Sequence, residues 1–378
     1  MKRIERVELP SPSAGTRREL VFHRYGSPGT RPKAYIQASL HADETPAMLV
    51  AHHLVRALDA ADGAGQILGE IVVLPAANPI GLDQEVAGSH LGRHELASGG
   101  NFNRQWPDLT ADAARLLETR LGPDGRANEA MVRAALAEAA RALAARGALG
   151  HMKRAIVERA ADAAIVLDLH CDAEAVLYFY LSRAIEDWRA GEDLLRHTGA
   201  RFALLSEDPG GGSFEDSMSG TWRGLAERFG AQTPIPRGCL AATLEYRGQS
   251  DVRDEEARAD AENLVRFLAG RGVLSGGADA PQARGRAIAL EAVDIVRAPH
   301  AGILVMARAL GAMVASGETI AELVDPGNPA APRTKLSSRT AGMLFSHARD
   351  RLVRPGAAIA KVAGTEPLPG RAGYLLDD

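Results

Sequence analysis

His41 and Glu44 stand three residues apart in Tyr35-Ile36-Gln37-Ala38-Ser39-Leu40-His41-Ala42-Asp43-Glu44. An imidazole nitrogen and a carboxylate oxygen are ordinary zinc donors, and a catalytic zinc needs a third protein ligand and an open position for water. The spacing H-x-x-E alone arises often by chance, so the rest of a site must come from downstream. His170 is the natural third ligand, because it ends the apolar run Ala164-Ile165-Val166-Leu167-Asp168-Leu169-His170, and α/β proteins place ligands at strand ends. Asp168 falls on the same side of that strand, where it either orients His170 from behind or makes a structural hydrogen bond. Glu245 sits late in an apolar stretch, Leu240 to Tyr246. A carboxylate there is costly to bury unless paired or used. It is either an ion-pair partner of Arg247 or another arginine, or a general base beside a metal-activated water. Asn103 and Arg104 lie together on a loop; a guanidinium with an adjacent amide suits a substrate carboxylate. Arg93 is a second cationic candidate, placed to stabilise a developing oxyanion. His90 and His94 would share a helix face, but Gly92 between them argues against a helix.

These side chains need a scaffold. Residues 34–40 read as a strand delivering His41. Thr45 is an N-cap candidate, and Pro46 suits a first helical turn in a helix over 46–60, with Met48, Leu49, His52, Val55 and Leu58 on one face. His52 and His53 read as structural. Ile71-Val72-Val73-Leu74 and the 164–170 run are continuous apolar segments, the pattern of strands covered on both faces. Residues 4–9 and 19–24 alternate as edge strands do. The Ala-, Arg- and Glu-rich stretch 111–162 predicts two or three helices with a solvated outer face. Further elements are a strand over 176–181, helices over 185–200 and 251–270, and an irregular Gly/Ser/Asp-rich loop from Glu207 to Gly220, long enough to act as a lid. A linker is expected at Gly276–Pro281. Beyond it, Val296–Val305 and Leu336–Phe345 resemble each other, and each is followed by a glycine turn, which suggests a small all-β unit of two interlocked halves.

The segments His41-x-x-Glu44, Gly100-Asn101-Phe102-Asn103-Arg104, Asp168-Leu169-His170-Cys171 and Leu244-Glu245-Tyr246-Arg247-Gly248 occur in the order seen in zinc carboxypeptidase-like enzymes. Over roughly residues 30–270 the chain resembles the succinylglutamate desuccinylase/aspartoacylase branch of that superfamily. The resemblance implies a three-layer α/β/α zinc-carboxypeptidase-like catalytic domain with a mixed, mainly parallel sheet, over residues 1–275. A barrel-sandwich β module follows over 285–378. It implies one Zn2+ per chain held by His41, Glu44 and His170, substrate carboxylate binding by Asn103 and Arg104, water activation by Glu245, and oxyanion stabilisation by Arg93. The implied activity is removal of an acyl group from an N-acyl amino acid. The alternatives are a carboxypeptidase acting on peptide C-termini and a catalytically silent binding protein. The β module resembles the lipoyl/biotinyl fold, but its turns carry Arg308-Ala309-Leu310 and Ala348-Arg349-Asp350 with no lysine. It therefore reads as structural, capping the site entrance or mediating contacts in a homo-oligomer.

Composition narrows the classes. The 378 residues are 46% hydrophobic but only 4% aromatic, so Ala, Leu and Val must fill the core. A formal net charge of −4 gives no basic footprint for nucleic acid. Two cysteines make no disulfide framework. Neither an apolar leader nor a membrane-length apolar run is present, so a cytoplasmic protein with a small-molecule substrate is the expectation.

Overall fold

The computed structural model describes residues 1–182, 185–207, 210–276, 285–371 and 375. One nine-stranded sheet organises them. Its strands are β1 (Arg3–Leu9), β2 (Arg18–Tyr25), β3 (Lys33–Ala38), β4 (Glu70–Leu74), β5 (Ile165–Asp172), β6 (Tyr178–Ser182), β7 (Phe202–Ser206), β8 (Leu240–Gly248) and β9 (Arg286–Ala289). Their order across the sheet is β1-β2-β4-β3-β5-β8-β6-β7-β9. The central strands β4, β3, β5 and β8 run parallel, and β6 turns antiparallel against β8. Only β1 of the first two strands is an edge, since β2 pairs with β4 as well.

Helices cover both faces. Thr110–Leu117 (α2), Gly125–Ala142 (α3), Gly147–Ala160 (α4) and Phe214–Phe229 (α6) pack with Phe22, Tyr35, Val72, Leu74 and Val166. Thr45–Gly63 (α1), Ile185–Thr198 (α5) and Asp254–Gly270 (α7) pack on the other face with Ile36, Ile71, Val73, Leu167 and Leu169. Neighbouring residues of one strand thus enter opposite cores, which is why β4 and β5 are apolar throughout. The 111–162 stretch is three helices, and their apolar stripes complete one of these cores.

Three local expectations change. The buried stripe of α1 is Pro46, Ala47, Val50, Ala51, His53, Leu54, Val55, Leu58 and Ala61, so Val55 and Leu58 lie on it as expected, while Met48 and Leu49 are half-buried and His52 is exposed. Small alanines, together with Ala257 and Ala261 of α7, carry this packing, so the larger side chains are a poor guide to the face. Thr45 makes no cap hydrogen bond; Glu44 holds the cap position and turns its carboxylate away. The loop expected over 207–220 becomes helix α6 from Phe214 onward, because Phe214, Met218, Trp222 and Leu225 form a buried face. Residues 208–209 of that loop and 277–281 of the expected linker lie outside the described residues.

Beyond residue 285, β9 first adds a parallel edge strand to the large sheet beside β7. The rest is antiparallel. One sheet is built from Val293–Arg297, Ala358–Gly364, Gly342–His347 and Met313–Val314. A second is built from Thr334–Ser337, Thr319–Val324, Gly302–Met306 and Leu352–Val353. A core including Leu304, Ile320, Leu323, Leu344, Ile359 and Val362 lies between them. The two-residue strand Glu174–Ala175, just after β5, pairs with Gly342–His347.

The start of β3 depends on a buried ion pair. Lys33 Nζ lies 2.5 Å from Asp162 Oδ1, and Arg31 Nη2 lies 2.7 Å from Asp162 Oδ2. Burial raises the Asp162 pKa, but Lys33 and Arg31 outweigh it and hold it below the ordinary carboxylate value. Asp162→Asn strands the Lys33 charge and lowers stability at neutral pH by about 3 kcal/mol. A depressed folded-state pKa contributes stability above the unfolded value and loses it as pH falls through the folded value. Denaturant titrations of variant and wild type should therefore converge in strong acid.

Candidate functional site

The site forms where β3, β5 and β8 end. After β3 the chain turns through Ser39 at φ 67°, which buries Leu40 in the core and releases His41 to the cavity. The 81–104 segment then packs on this turn: Ala42 N donates to Gly92 O at 2.9 Å. A Cβ on Gly92 would stand 2.0 Å from the Asp43 backbone nitrogen and 2.6 Å from Ala42 C. Gly92→Ala therefore pushes the His41 turn away, costing about 1–3 kcal/mol of stability and displacing His41 from the candidate metal cluster. A thermal melt and a metal titration on the variant check both effects.

His41, Glu44 and His170 meet. His41 Nδ1 lies 2.8 Å from Glu44 Oε1, and His170 Nδ1 lies 2.7 Å from Glu44 Oε2. One donor atom from each residue falls within 4.8 Å of the others. All three residues are buried. The remaining ring nitrogens face oxygens: His41 Nε2 is hydrogen-bonded to Asn101 Oδ1 at 2.9 Å, and His170 Nε2 makes a 2.9 Å ion-pair contact with Asp168 Oδ2 without hydrogen-bond alignment. Asp168 is fixed in turn by Gln37 Nε2, which donates to Oδ1 at 3.0 Å. Two imidazoles each presenting Nδ1 to one carboxylate, with an oxygen on each Nε2, is the pattern of metal-ligating histidines. The donor set fits zinc and leaves an open coordination position.

The electrostatics agree with that arrangement. Burial opposes ionisation of Glu44, but His170 and His41 outweigh it and hold its pKa down. Burial lowers the His41 pKa, and Arg93 lowers it further. Burial also disfavours charge on His170, but Asp168 and Glu44 overcome this and raise its pKa.

Glu245 lies in register between His170 on β5 and Tyr178 on β6. The β8–β5 register shifts immediately after it. Arg247 does not neutralise it; that guanidinium is bidentate to Asp260 at 2.7 and 3.1 Å. Glu245 Oε2 has no hydrogen-bond partner. Burial, then the Glu44 charge, pushes its pKa up to about 8.

A cavity of about 340 Å³ joins these groups to Arg93, Asn103 and Arg104. Arg93 Nη1 is 3.5 Å from Glu44 Oε1 and 3.3 Å from His41 Nδ1. Asn103 Oδ1 accepts from Phe214 N at 2.8 Å and so caps α6, whose own Ser213 makes no side-chain cap bond. Arg104 Nη1 donates to Asn103 O at 2.9 Å, and Lys153 Nζ donates to Arg104 O at 2.7 Å. The rival pair His90 and His94 lies outside the cluster, with His90 Nε2 3.0 Å from Gly81 O. His53, read as structural, has Nε2 2.8 Å from Asp254 Oδ1.

Several residues in and behind the cavity escape sequence reasoning. Asn101 precedes Asn103 in the same loop segment, and its neighbourhood was the available signal. Tyr178 and Tyr180 alternate along β6, but nothing in their spacing marks a site. Lys361 and Ser346 come from the C-terminal sheet and line the cavity. Lys361 Nζ reaches Asp172 Oδ2 at 3.0 Å, to which Tyr178 OH donates at 2.9 Å.

A family model described as the succinylglutamate desuccinylase/aspartoacylase catalytic domain matches residues 30–271. Among solved structures, a succinylglutamate desuccinylase/aspartoacylase family protein from Shewanella amazonensis SB2B is 24% identical. It superposes with a TM-score of 0.80 over 96% of this chain and 98% of that one. A protein from Shewanella frigidimarina NCIMB 400 named for the same two activities gives a TM-score of 0.83 at 22% identity, covering 96% and 97%. The product-bound ectoine utilization protein EutE (DoeB) from Ruegeria pomeroyi gives 0.68 at 17% identity, covering 96% and 95%. At these identities the likeness to solved structures is one of fold. No curated protein matches the chain.

Proposed function

This chain belongs to the succinylglutamate desuccinylase/aspartoacylase family, and we propose that it is a zinc-dependent amidohydrolase that removes an acyl group from an N-acyl amino acid. The observation that carries the reading is the His41–Glu44–His170 cluster with Glu245 beside it in one cavity. His41 Nδ1, the Glu44 carboxylate and His170 Nδ1 would hold the ion, with Asn101 and Asp168 behind the two rings. When bound there, zinc supplies a Lewis acid and lowers the pKa of a water.

The chain's own residues do the rest. Glu245 takes a proton from the attacking water and returns it to the departing amine nitrogen. Burial raises the Glu245 pKa, which strengthens the carboxylate as a base for the first transfer and the carboxylic acid as a proton source for the second. Arg93 donates to the oxygen on which charge develops. Arg104 and the Asn103 amide nitrogen hold the amino-acid carboxylate, and the capping bond from Phe214 N fixes Asn103 in place.

Residues 346–348 and 358–361 of the C-terminal sheet form part of the same wall. A wall there favours a small N-acyl amino acid over a peptide chain leaving the cleft. We also propose the division at the 276–285 stretch, with β9 reaching back to the catalytic sheet. No helix among the described residues is long and apolar enough to cross a membrane.

The test is primary-amine release by zinc-loaded protein across N-acyl amino acids and short peptides. Release from N-acyl amino acids that stops with a chelator and returns with zinc is the expected result. Release from peptides alone would overturn the reading in favour of a carboxypeptidase.

A further inference from the structure

Strand β8 ends in an irregularity directly after Glu245. Glu245 pairs with His170 and Gly248 with Asp172, so β8 takes three steps where β5 takes two. The extra residue makes a bulge, which is rare between parallel strands and common beside active sites, where it re-aims side chains. Before it the alternation is regular. Ala241, Thr243 and Glu245 line the cavity, and Ala242, Leu244 and Tyr246 enter the core that α7 covers. Alternation would send Arg247 to the cavity side, next to Glu245. Instead its guanidinium meets Asp260 of α7 in two bonds, at 2.7 and 3.1 Å.

The backbone turns it there. Arg247 has φ 65°, in the left-handed region that glycine occupies freely and an arginine does not. A glycine stands one position later, where a Cβ would lie 2.9 Å from Glu174 Cα. Close approach is thus met by Gly248, and the left-handed turn is left to an arginine. A residue in such a conformation persists only where its surroundings hold it. Here the holding group is a charge. Asp260 is 4% exposed and interrupts the apolar stripe of Ala257, Ala261, Leu264, Phe267 and Leu268 on α7. For stability alone a buried pair is often replaceable by apolar side chains, so this one calls for another reason. Beyond the bulge the chain is anchored again, with Gln249 N donating to Asp172 O and Ala173 O at 3.1 and 3.0 Å.

We propose that Arg247 and Asp260 are positioning residues for Glu245: their ion pair holds residue 247 in the left-handed conformation that closes the bulge with Glu245 in the cavity and the guanidinium outside it. This rests on the acid–base role proposed for Glu245 and names what supports it. Without the pair, an extended conformation at residue 247 becomes the easier one. It shifts the end of β8 and returns the arginine to the side of Glu245, where it would neutralise the carboxylate.

The test separates backbone from charge at one position. Asp260→Asn keeps the shape of the acceptor and removes its charge. For an N-acyl amino acid that wild type cleaves, kcat should fall about tenfold or more, with KM changed less than about threefold and zinc content unchanged. On that background Arg247→Gly removes the guanidinium and the cost of the left-handed turn, and should restore most of the lost kcat. Arg247→Ala removes the same guanidinium but keeps the cost, and should stay about tenfold below the glycine variant. Amide hydrogen exchange over 244–249, corrected for intrinsic rates, is a readout independent of turnover. It should be faster in Asp260→Asn and in the alanine double variant than in the glycine one.

A pair that served stability alone would lower the melting temperature and leave kcat of the folded protein unchanged, and that result overturns the proposal. So does equal kcat in the glycine and alanine double variants, whether both are recovered or both lost. If Asp260→Asn does not fold, the double variants, which bury no unpaired charge, carry the comparison. Failure of those to fold as well would make the pair a requirement of the fold and overturns the proposal too. The two readings fail separately. No amide cleavage by wild type, with exchange in the expected order, would sink the deacylase and spare the positioning role. Cleavage by wild type and by both double variants alike would do the reverse.

Discussion

Glu245→Gln removes turnover and leaves the metal in place. Positioned acid–base groups contribute about 10²–10⁴ in rate, roughly 3–5 kcal/mol of barrier, and Glu245 is the only carboxylate here asked to serve both as base and as acid. Glutamine keeps the shape and removes the proton-carrying function. Glu245 stands outside the ligand cluster, so zinc content by mass spectrometry should stay at one ion per chain. Its Oε2 makes no hydrogen bond, so the substitution breaks none at that atom, and the melting temperature should hold. Retained kcat in a variant with full zinc would remove the assigned role. A variant that lost both zinc and activity would instead place Glu245 in the metal's support.

The expected losses separate two kinds of residue in the cavity. Truncating Arg104 should raise KM for N-acyl amino acids, because its proposed partner is a carboxylate far from the reacting bond. Truncating Arg93 should act mainly on kcat, because its partner is a charge that exists only in the transition state. Kinetics on the two alanine variants distinguishes them.

Much of this site was legible in the sequence, for a physical reason. His170 and Glu245 sit late in segments so apolar that a titratable group there is conspicuous, and His41 is marked by its spacing to Glu44. Strands β5 and β8, which carry His170 and Glu245, are adjacent in the sheet, and β3, which leads into the His41 turn, lies beside β5, so the three groups meet at one end of the sheet. What was not legible depends on contacts between distant segments. Lys361 and Ser346 look like ordinary β-module residues until Glu174–Ala175 pairs with Gly342–His347 and brings that sheet against the cavity. Asn103 looked like a ligand-binding amide alone; its second task, capping α6 through Phe214 N, required knowing that a helix begins there. The glycines and serines before Phe214 concealed that helix, because propensity is weak there and the buried face of Phe214, Met218 and Trp222 decides the outcome. The α1 stripe misled for a related reason: close packing selects alanine, and alanine carries little hydrophobic signal.

His170→Ala abolishes stoichiometric zinc binding, and activity goes with it. The substitution takes away one of three protein ligands and leaves Glu44 Oε2 without the imidazole that lies 2.7 Å from it. It also unpairs Asp168, buried beneath the ring and held otherwise by Gln37, so the variant loses stability beyond its loss of metal. Asp168→Asn separates the two effects. It keeps all three ligands and the packing, but weakens the acceptor that aligns His170, and it should lower zinc affinity by about 10–100-fold. At zinc concentrations near 100 times the wild-type Kd, the ion stabilises wild type by about 2.7 kcal/mol. Raising zinc should therefore return the Asp168→Asn melting temperature and activity toward wild type, and should do nothing for His170→Ala. If His170→Ala still bound one zinc at wild-type affinity, the cluster would be an ordinary buried ion pair, and the active centre would have to be sought elsewhere in the cavity. A chelator provides the reverse test on the unaltered chain: activity should vanish and the melting temperature fall together, and both should recover at one equivalent of zinc.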